Sequence, residues 1–314
     1  MNYYEVLRSK AEPVAVEPGS TSYFSVPAAG LDPRLFQNAK ILPGVRDSIL
    51  GTLFGYLNTK FQGADVWSEV WLAGSGVSYQ WDAQRTPSDL DCLIGVDFAK
   101  FRELNTNYAG FSNAEIAAMF NEEFREELHP KTEDFLGAFE LTFYVNVQSN
   151  IRLIKAYAAY SLTTNSWTVP PAKDIVRLDP EWQKATSADV VKAQQIIDKY
   201  GSALEKVKTA QNEVLRINAE RELALAAGQG ADLFDIIHSG RGEAFSESGA
   251  GYGDFANYRW QAGKQSGIIQ ALKKLKNLSK ESRSAFAAET YGIELPDAST
   301  LIRRAGAYAT NRTF

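Results

Sequence analysis

The run Asp89-Leu90-Asp91-Cys92-Leu93-Ile94 places two carboxylates two residues apart at the head of an apolar segment. In an extended strand residues i and i+2 share a face, so Asp89 and Asp91 project together while Leu90 packs behind them. Their Cα atoms then lie about 6–7 Å apart. Like charges at that spacing need a counter-ion, and a hard divalent cation such as Mg²⁺ or Mn²⁺ is bound by carboxylate and phosphate oxygens together. Upstream, Gly74-Ser75-Gly76 follows the strand-like VWSEVWLA. Small residues after a strand let backbone N–H groups approach a phosphate, and Ser75 adds a hydroxyl donor. The competing reading is an acidic loop end after Pro87-Ser88, which leaves the apolar run that continues from the pair unexplained.

Together these two segments resemble the DNA polymerase β-type nucleotidyltransferase superfamily. Its motif is a hydrophobic residue and Gly-Ser, then about ten to fifteen residues, then Asp-hydrophobic-Asp-hydrophobic. Ala73-Gly74-Ser75 and Asp89-Leu90-Asp91-Cys92 match it. The resemblance implies that Gly74 and Ser75 bind the phosphates of a nucleoside triphosphate and that Asp89 and Asp91 hold catalytic Mg²⁺ or Mn²⁺. It also implies a third carboxylate from a later strand, acting as base toward the attacking hydroxyl and as a metal ligand. Glu140 in AFELTFYVNV is the candidate, although the family more often uses Asp, and Glu133 and Asp134 are its substitutes. The implied reaction is transfer of an NMP from an NTP to an acceptor hydroxyl with release of pyrophosphate. The acceptor stays open among an RNA 3′ end, a small molecule, a protein hydroxyl and a second nucleotide. The rival is a catalytically silent nucleotide- or RNA-binding module that keeps the fold. A P-loop kinase is disfavoured, because Gly-x-x-x-x-Gly-Lys-Ser/Thr is absent.

The elements that must position these residues read as α+β. The stretch to about Leu31, with Pro13, Pro18 and Pro27, suggests an irregular arm, and Asp32-Pro33 suggests the cap of a short helix. LPGVRDSILGTLFGYLNTKF has helical spacing, VWSEVWLAG and DLDCLIGVD read as strands, and SNAEIAAMFNEEFREELHP as a helix between Ser112 and Pro130. AFELTFYVNV and KAYAAYSLTTNSW extend the sheet. Beyond Pro180 the chain reads as all-helical: a stripe from Thr186 to about Ala227, split at Gly201, then helices near 231–237, 254–278 and 279–291. The expected division is a catalytic domain over 1–180 with its N-terminal arm, and a helical domain over 181–314.

In the helical part, the glycine-rich run around His238 and Arg241 reads as a loop. His238, Arg241, Arg259 and Lys264 are the cations for phosphate there, and Tyr252, Phe255, Tyr258 or Trp260 offer a base-stacking surface; the alternative is a loop packed on its own aromatics. Lys273 to Lys280 read as a solvated helix face, with an RNA-contacting face as the alternative. His129 reads as a helix-end residue, and two histidines this distant make no zinc signature. The formal charge of −5 argues against a protein that coats nucleic acid over its whole surface. One cysteine excludes an internal disulfide framework, and without a signal-like start or a membrane-spanning apolar run the expected setting is the cytoplasm.

Overall fold

The computed structural model describes residues 2–81, 89–147, 151, 154–173, 179–291 and 301–302. The chain forms two compact units, one of residues 24–175 with 296–314 and the other of residues 1–23 with 176–295. Residues 1–23 of the expected arm thus group with the helices, and its remainder with the sheet. The expected cytoplasmic setting gains no test from the fold, but no helix among the described residues is long and apolar enough to cross a membrane.

The helical unit begins with α1 (Tyr3–Lys10), which the sequence reading missed. Asn2 and Glu5 close a reciprocal capping box, with Glu5 N donating to Asn2 Oδ1 and Asn2 N to Glu5 Oε2, and this satisfies amide donors left open at a helix start. Leu7 then buries in the helical core.

The sheet unit opens with a small hairpin, β1 (Phe36–Gln37) and β2 (Lys40–Ile41), instead of the expected helix after Asp32. Asn38 and Ala39 both take positive φ, the twist a two-residue hairpin needs, and Asp32 caps only a turn, holding Arg34 through Nε and Nη2. Next come α2 (Pro43–Leu57), α3 (Ala64–Trp67) and β3 (Ser68–Ala73), so Val66 and Trp67 belong to a helical turn and the strand starts at Ser68. Pro43 starts α2 where its missing N–H costs nothing, and Val45, Ile49, Leu53 and Leu57 bury one face. After β4 (Leu90–Val96), α4 (Phe98–Leu104) and α5 (Asn113–Glu123) form the crossover to β5 (Leu141–Asn146). β6 (Ala159–Ser161) and β7 (Ser166–Val169) complete a mixed five-stranded sheet in the order β5-β4-β3-β6-β7. β4 and β5 are parallel, joined by the long helical crossover that a parallel pair requires, and the other pairs are antiparallel, with only β6 and β7 linked by a short turn.

Alternation gives the sheet two faces. Val70, Leu72, Cys92, Ile94, Phe143 and Val145 pack with residues of α2, α4 and α5 in the main core, which also takes in Ile302. The opposite face carries a smaller apolar patch of Trp71, Ala73, Ile151 and Ala159. Asp91 stands on this second face, since its register partners are Ala73 and Thr142.

The other helices are longer than the spacing suggested. α6 (Pro180–Thr209) starts at the Asp179 cap and runs through Gly201 unbroken, because Tyr200, Ala203 and Leu204 bury on either side and outweigh the roughly 1 kcal/mol cost of a helical glycine. The break comes at Ala210–Asn212, where the Asn212 side chain caps α7 (Glu213–Ala244). α7 carries His238, Gly240, Arg241 and Gly242 inside the helix, so the expected glycine loop shrinks to residues 245–254. The apolar face of Phe234, Ile237 and Ala244 keeps that segment helical. α8 (Phe255–Ser266) and α9 (Ile268–Tyr291) are separated by Gly267 at φ +85°, not by a boundary near 278. Leu275, Leu278 and Ser279 are all buried along α9.

Candidate active site

The antiparallel register of β3 and β4 sets Ala73 opposite Asp91. The chain leaving β3 at Gly74 therefore emerges beside the acidic pair, although a long connection separates them in sequence. Gly74 adopts φ +84°, ψ −161°, a region that a side chain resists strongly. A Cβ there would lie 3.0 Å from Asp91 Oδ2. Gly76 is buried in the same turn, and its Cβ would meet Leu90 Cδ2 at 2.8 Å and the Asp89 carbonyl oxygen at 3.2 Å. Both glycines are thus required by close approach to Asp89-Leu90-Asp91. Ser75 starts the short 3₁₀ turn over Ser75–Val77, and its carbonyl accepts from Ser78 N (3.1 Å) and Ser78 Oγ (2.8 Å). Gly74 N donates to the Ala158 carbonyl (3.1 Å), tying the turn to the entry of β6.

Asp89 and Asp91 are exposed while Leu90 and Cys92 are fully buried behind them. Asp91 Oδ1 is 3.4 Å from Thr142 Oγ1 on β5. Burial, reinforced by the Asp91 charge, pushes the Cys92 thiol far above its ordinary range. That thiol is a core group and not a metal ligand, and the donors the site offers are oxygens. Glu140 immediately precedes β5, and its carbonyl accepts from Leu90 N at 2.8 Å. It is exposed and lies two residues from Thr142, on the side of the sheet that Asp91 and Tyr144 share. Its carboxylate is engaged by His129, with Nε2 to Oε1 at 2.7 Å. Among the described residues no group of three or more His, Cys, Asp or Glu side chains is arranged to hold a metal ion.

His129 is the residue that the sequence reading passed over. The helix α5 does not simply stop at Pro130: it widens into a π turn over Phe124–Leu128 and tightens into a 3₁₀ turn over His129–Lys131. No spacing rule links His129 to Glu140, and their meeting depends on that irregular helix end.

The cations expected to contact phosphate all belong to the helical unit. Arg259 on α8 makes a bidentate pair with Asp189 on α6, both contacts at 2.6 Å. Arg241, in the last turn of α7, lies over the rings of Trp260 (5.4 Å) and Phe245 (5.7 Å). Lys264 is partly buried in the last turn of α8. His238 stacks on Phe234 and meets Trp260 edge-on. Burial, then the charges of Lys276 and Arg241, lower its pKa below the ordinary value.

No protein-family model matches the chain, and no significant similarity to a curated protein or a solved structure was found.

Proposed function

We propose that the protein is a metal-dependent nucleotidyltransferase that moves an NMP from an NTP to an acceptor hydroxyl. The observation that carries this reading is the contact between Gly74 and Asp91. A glycine turn lies against the start of β4, where Asp89 and Asp91 are exposed, so closely that a Cβ on Gly74 or Gly76 would crowd Asp91 or Leu90.

The residues fit the cation that such chemistry uses. Asp89 and Asp91 would hold Mg²⁺ or Mn²⁺, since both are exposed oxygen donors and the softer thiol of Cys92, next in sequence to Asp91, is buried and held protonated. When bound, the cation offsets phosphate charge and stabilises the oxygens that attack and leave. With the Gly74 N–H given to the Ala158 carbonyl, the Ser75 and Gly76 N–H groups and the Ser75 hydroxyl are the donors of this turn that would bind the triphosphate. Glu140, on the neighbouring strand entry, takes the proton of the acceptor hydroxyl as its oxygen bonds to the α-phosphorus. The bond from that phosphorus to the bridging oxygen breaks, and pyrophosphate leaves.

The test is incubation of the purified protein with each α-labelled NTP, Mg²⁺ and separate pools of RNA, protein and small-molecule acceptors. Label should enter one pool with wild type and not with Asp91→Ala. Equal labelling by a folded Asp91→Ala protein removes the assignment.

A further inference from the structure

Glu140, one residue before the Leu141 that pairs with Leu90, brings a carboxylate to the strand entry beside Asp89 and Asp91, and that carboxylate is already occupied. His129 Nε2 lies 2.7 Å from Glu140 Oε1, and because an ionised carboxylate only accepts, Nε2 carries the donated proton. The other ring nitrogen, Nδ1, is 3.7 Å from Glu133 Oε1. One imidazole therefore faces two of the three acids that the sequence offers for the third position.

The fold builds this contact from both sides. Thr132, 2% exposed, closes the turn that carries His129. Its hydroxyl donates to the Leu141 carbonyl (2.7 Å) and its carbonyl accepts from Leu141 N (2.9 Å). Leu141 is the residue after Glu140, so the histidine turn is pinned to the start of β5. Between them the chain reverses through Leu136 and Gly137, both at positive φ, with Phe135 bridged to Phe139. Leu90 N, donating to the Glu140 carbonyl, fixes the same point to the acidic strand. The position of Glu140 is thereby set by backbone bonds, and what remains free to change is the partner of its carboxylate.

We infer that His129 is a latch that holds the Glu140 carboxylate out of the metal set, so that Glu140 joins Asp89 and Asp91 only when this hydrogen bond is given up. The inference rests on the nucleotidyl-transfer reading of the acidic pair. Exposure decides that the device is a latch and not a lock: the side chains are 26% and 47% exposed, and pairs this open are weak enough to exchange partners. A cation drawn in with a triphosphate supplies the competing attraction. The resting protein then binds a free cation through two carboxylates, and His129 sets how readily the third is recruited.

The experiment is Mn²⁺ titration of the full chain, read by the paramagnetic resonance of free Mn²⁺, without nucleotide. His129→Leu should tighten Mn²⁺ about two- to fivefold, the range of a partly exposed pair that no longer has to be broken. Glu140→Gln should stay within about twofold of wild type, because the latched carboxylate is not yet a ligand. The double variant should lose the gain of His129→Leu, and His129→Gln should behave as wild type because its amide still donates to Glu140. Unchanged or weaker Mn²⁺ binding by a folded His129→Leu protein overturns the latch. So does clear weakening by Glu140→Gln alone, which decides the matter if His129→Leu does not fold. Asp91→Asn separates the two levels: if it abolishes binding while His129→Leu changes nothing, only the latch falls. If Asp91→Asn binds Mn²⁺ like wild type, or no variant binds at all, the reading of the acidic pair falls and the latch with it.

Discussion

Replacing Gly74 by alanine perturbs both halves of the proposed site at once. The backbone at φ +84°, ψ −161° costs a non-glycine residue about 1–3 kcal/mol. The new methyl also lands 3.0 Å from Asp91 Oδ2, tighter than an ordinary carbon–oxygen contact, so either the turn or the carboxylate must shift. The expected loss is therefore about 2–3 kcal/mol in the sheet unit, the upper part of the strain range, because two unfavourable terms act together. Since the chain has two compact units, a single unfolding midpoint is a poor reporter. Hydrogen exchange at the amides of β3 and β4 reads the affected unit directly, and Mn²⁺ binding reads the displaced carboxylate. Gly51→Ala is the internal control: it sits in α2 with nothing within 4 Å of a new Cβ, and should stabilise by about 0.5–1 kcal/mol. If Gly74→Ala leaves both exchange and Mn²⁺ binding unchanged, the turn relaxes freely and the close approach of glycine and acid has no functional weight.

Three other outcomes follow from the same geometry. Asp91→Asn should hold or slightly raise thermal stability while abolishing Mn²⁺ binding, because it removes one of two neighbouring exposed negative charges; calorimetry with and without Mn²⁺ separates the effects. Arg259→Ala should destabilise the helical unit by roughly 1–2 kcal/mol, a discounted value for a partly exposed bidentate pair, and Asp189→Asn should recover little of it; urea titration followed at α6 and α8 amides checks this. The lowered pKa of His238 means that the unfolded chain binds its proton more readily, so the helical unit should lose stability as pH falls from above 6.5 through the folded-state value. His238→Gln should flatten that part of a stability–pH profile measured by urea titration followed at α7 amides.

Much of this architecture was legible in local signals. α2 could be read because Val45, Ile49 and Leu53 repeat at helical spacing, and α5 because Ser112 and Asn113 open it, although the reciprocal cap of Ser112 with Glu115 came only with the structure. β4 was marked by its run of buried residues behind the acidic pair. Features decided by distant packing were not. α1 has just two buried residues, Val6 and Leu7, too few to show a period, and its attachment to the helical unit depends on contacts with a distant part of the chain. Gly201, Gly240 and Gly242 suggested breaks by propensity, yet the buried faces beside them carried the helices through. At the site, Gly74, Asp89 and Asp91 were visible as residue types at a spacing, while the contact of Gly74 with Asp91 needed the β3–β4 register. His129 gave no signal, because an irregular helix end and the Thr132–Leu141 bonds bring it to Glu140.

The most direct measurement follows the fate of two phosphates in parallel reactions, one with α-labelled and one with γ-labelled NTP, in the presence of Mg²⁺ and the acceptor pool. The α-label should become covalently attached to the acceptor while the γ-label appears only in pyrophosphate, and both signals should vanish in Asp89→Asn and Asp91→Asn. Transfer of γ-label to the acceptor, or Mg²⁺-dependent turnover that survives loss of both aspartates, would contradict nucleotidyl transfer at this acidic pair.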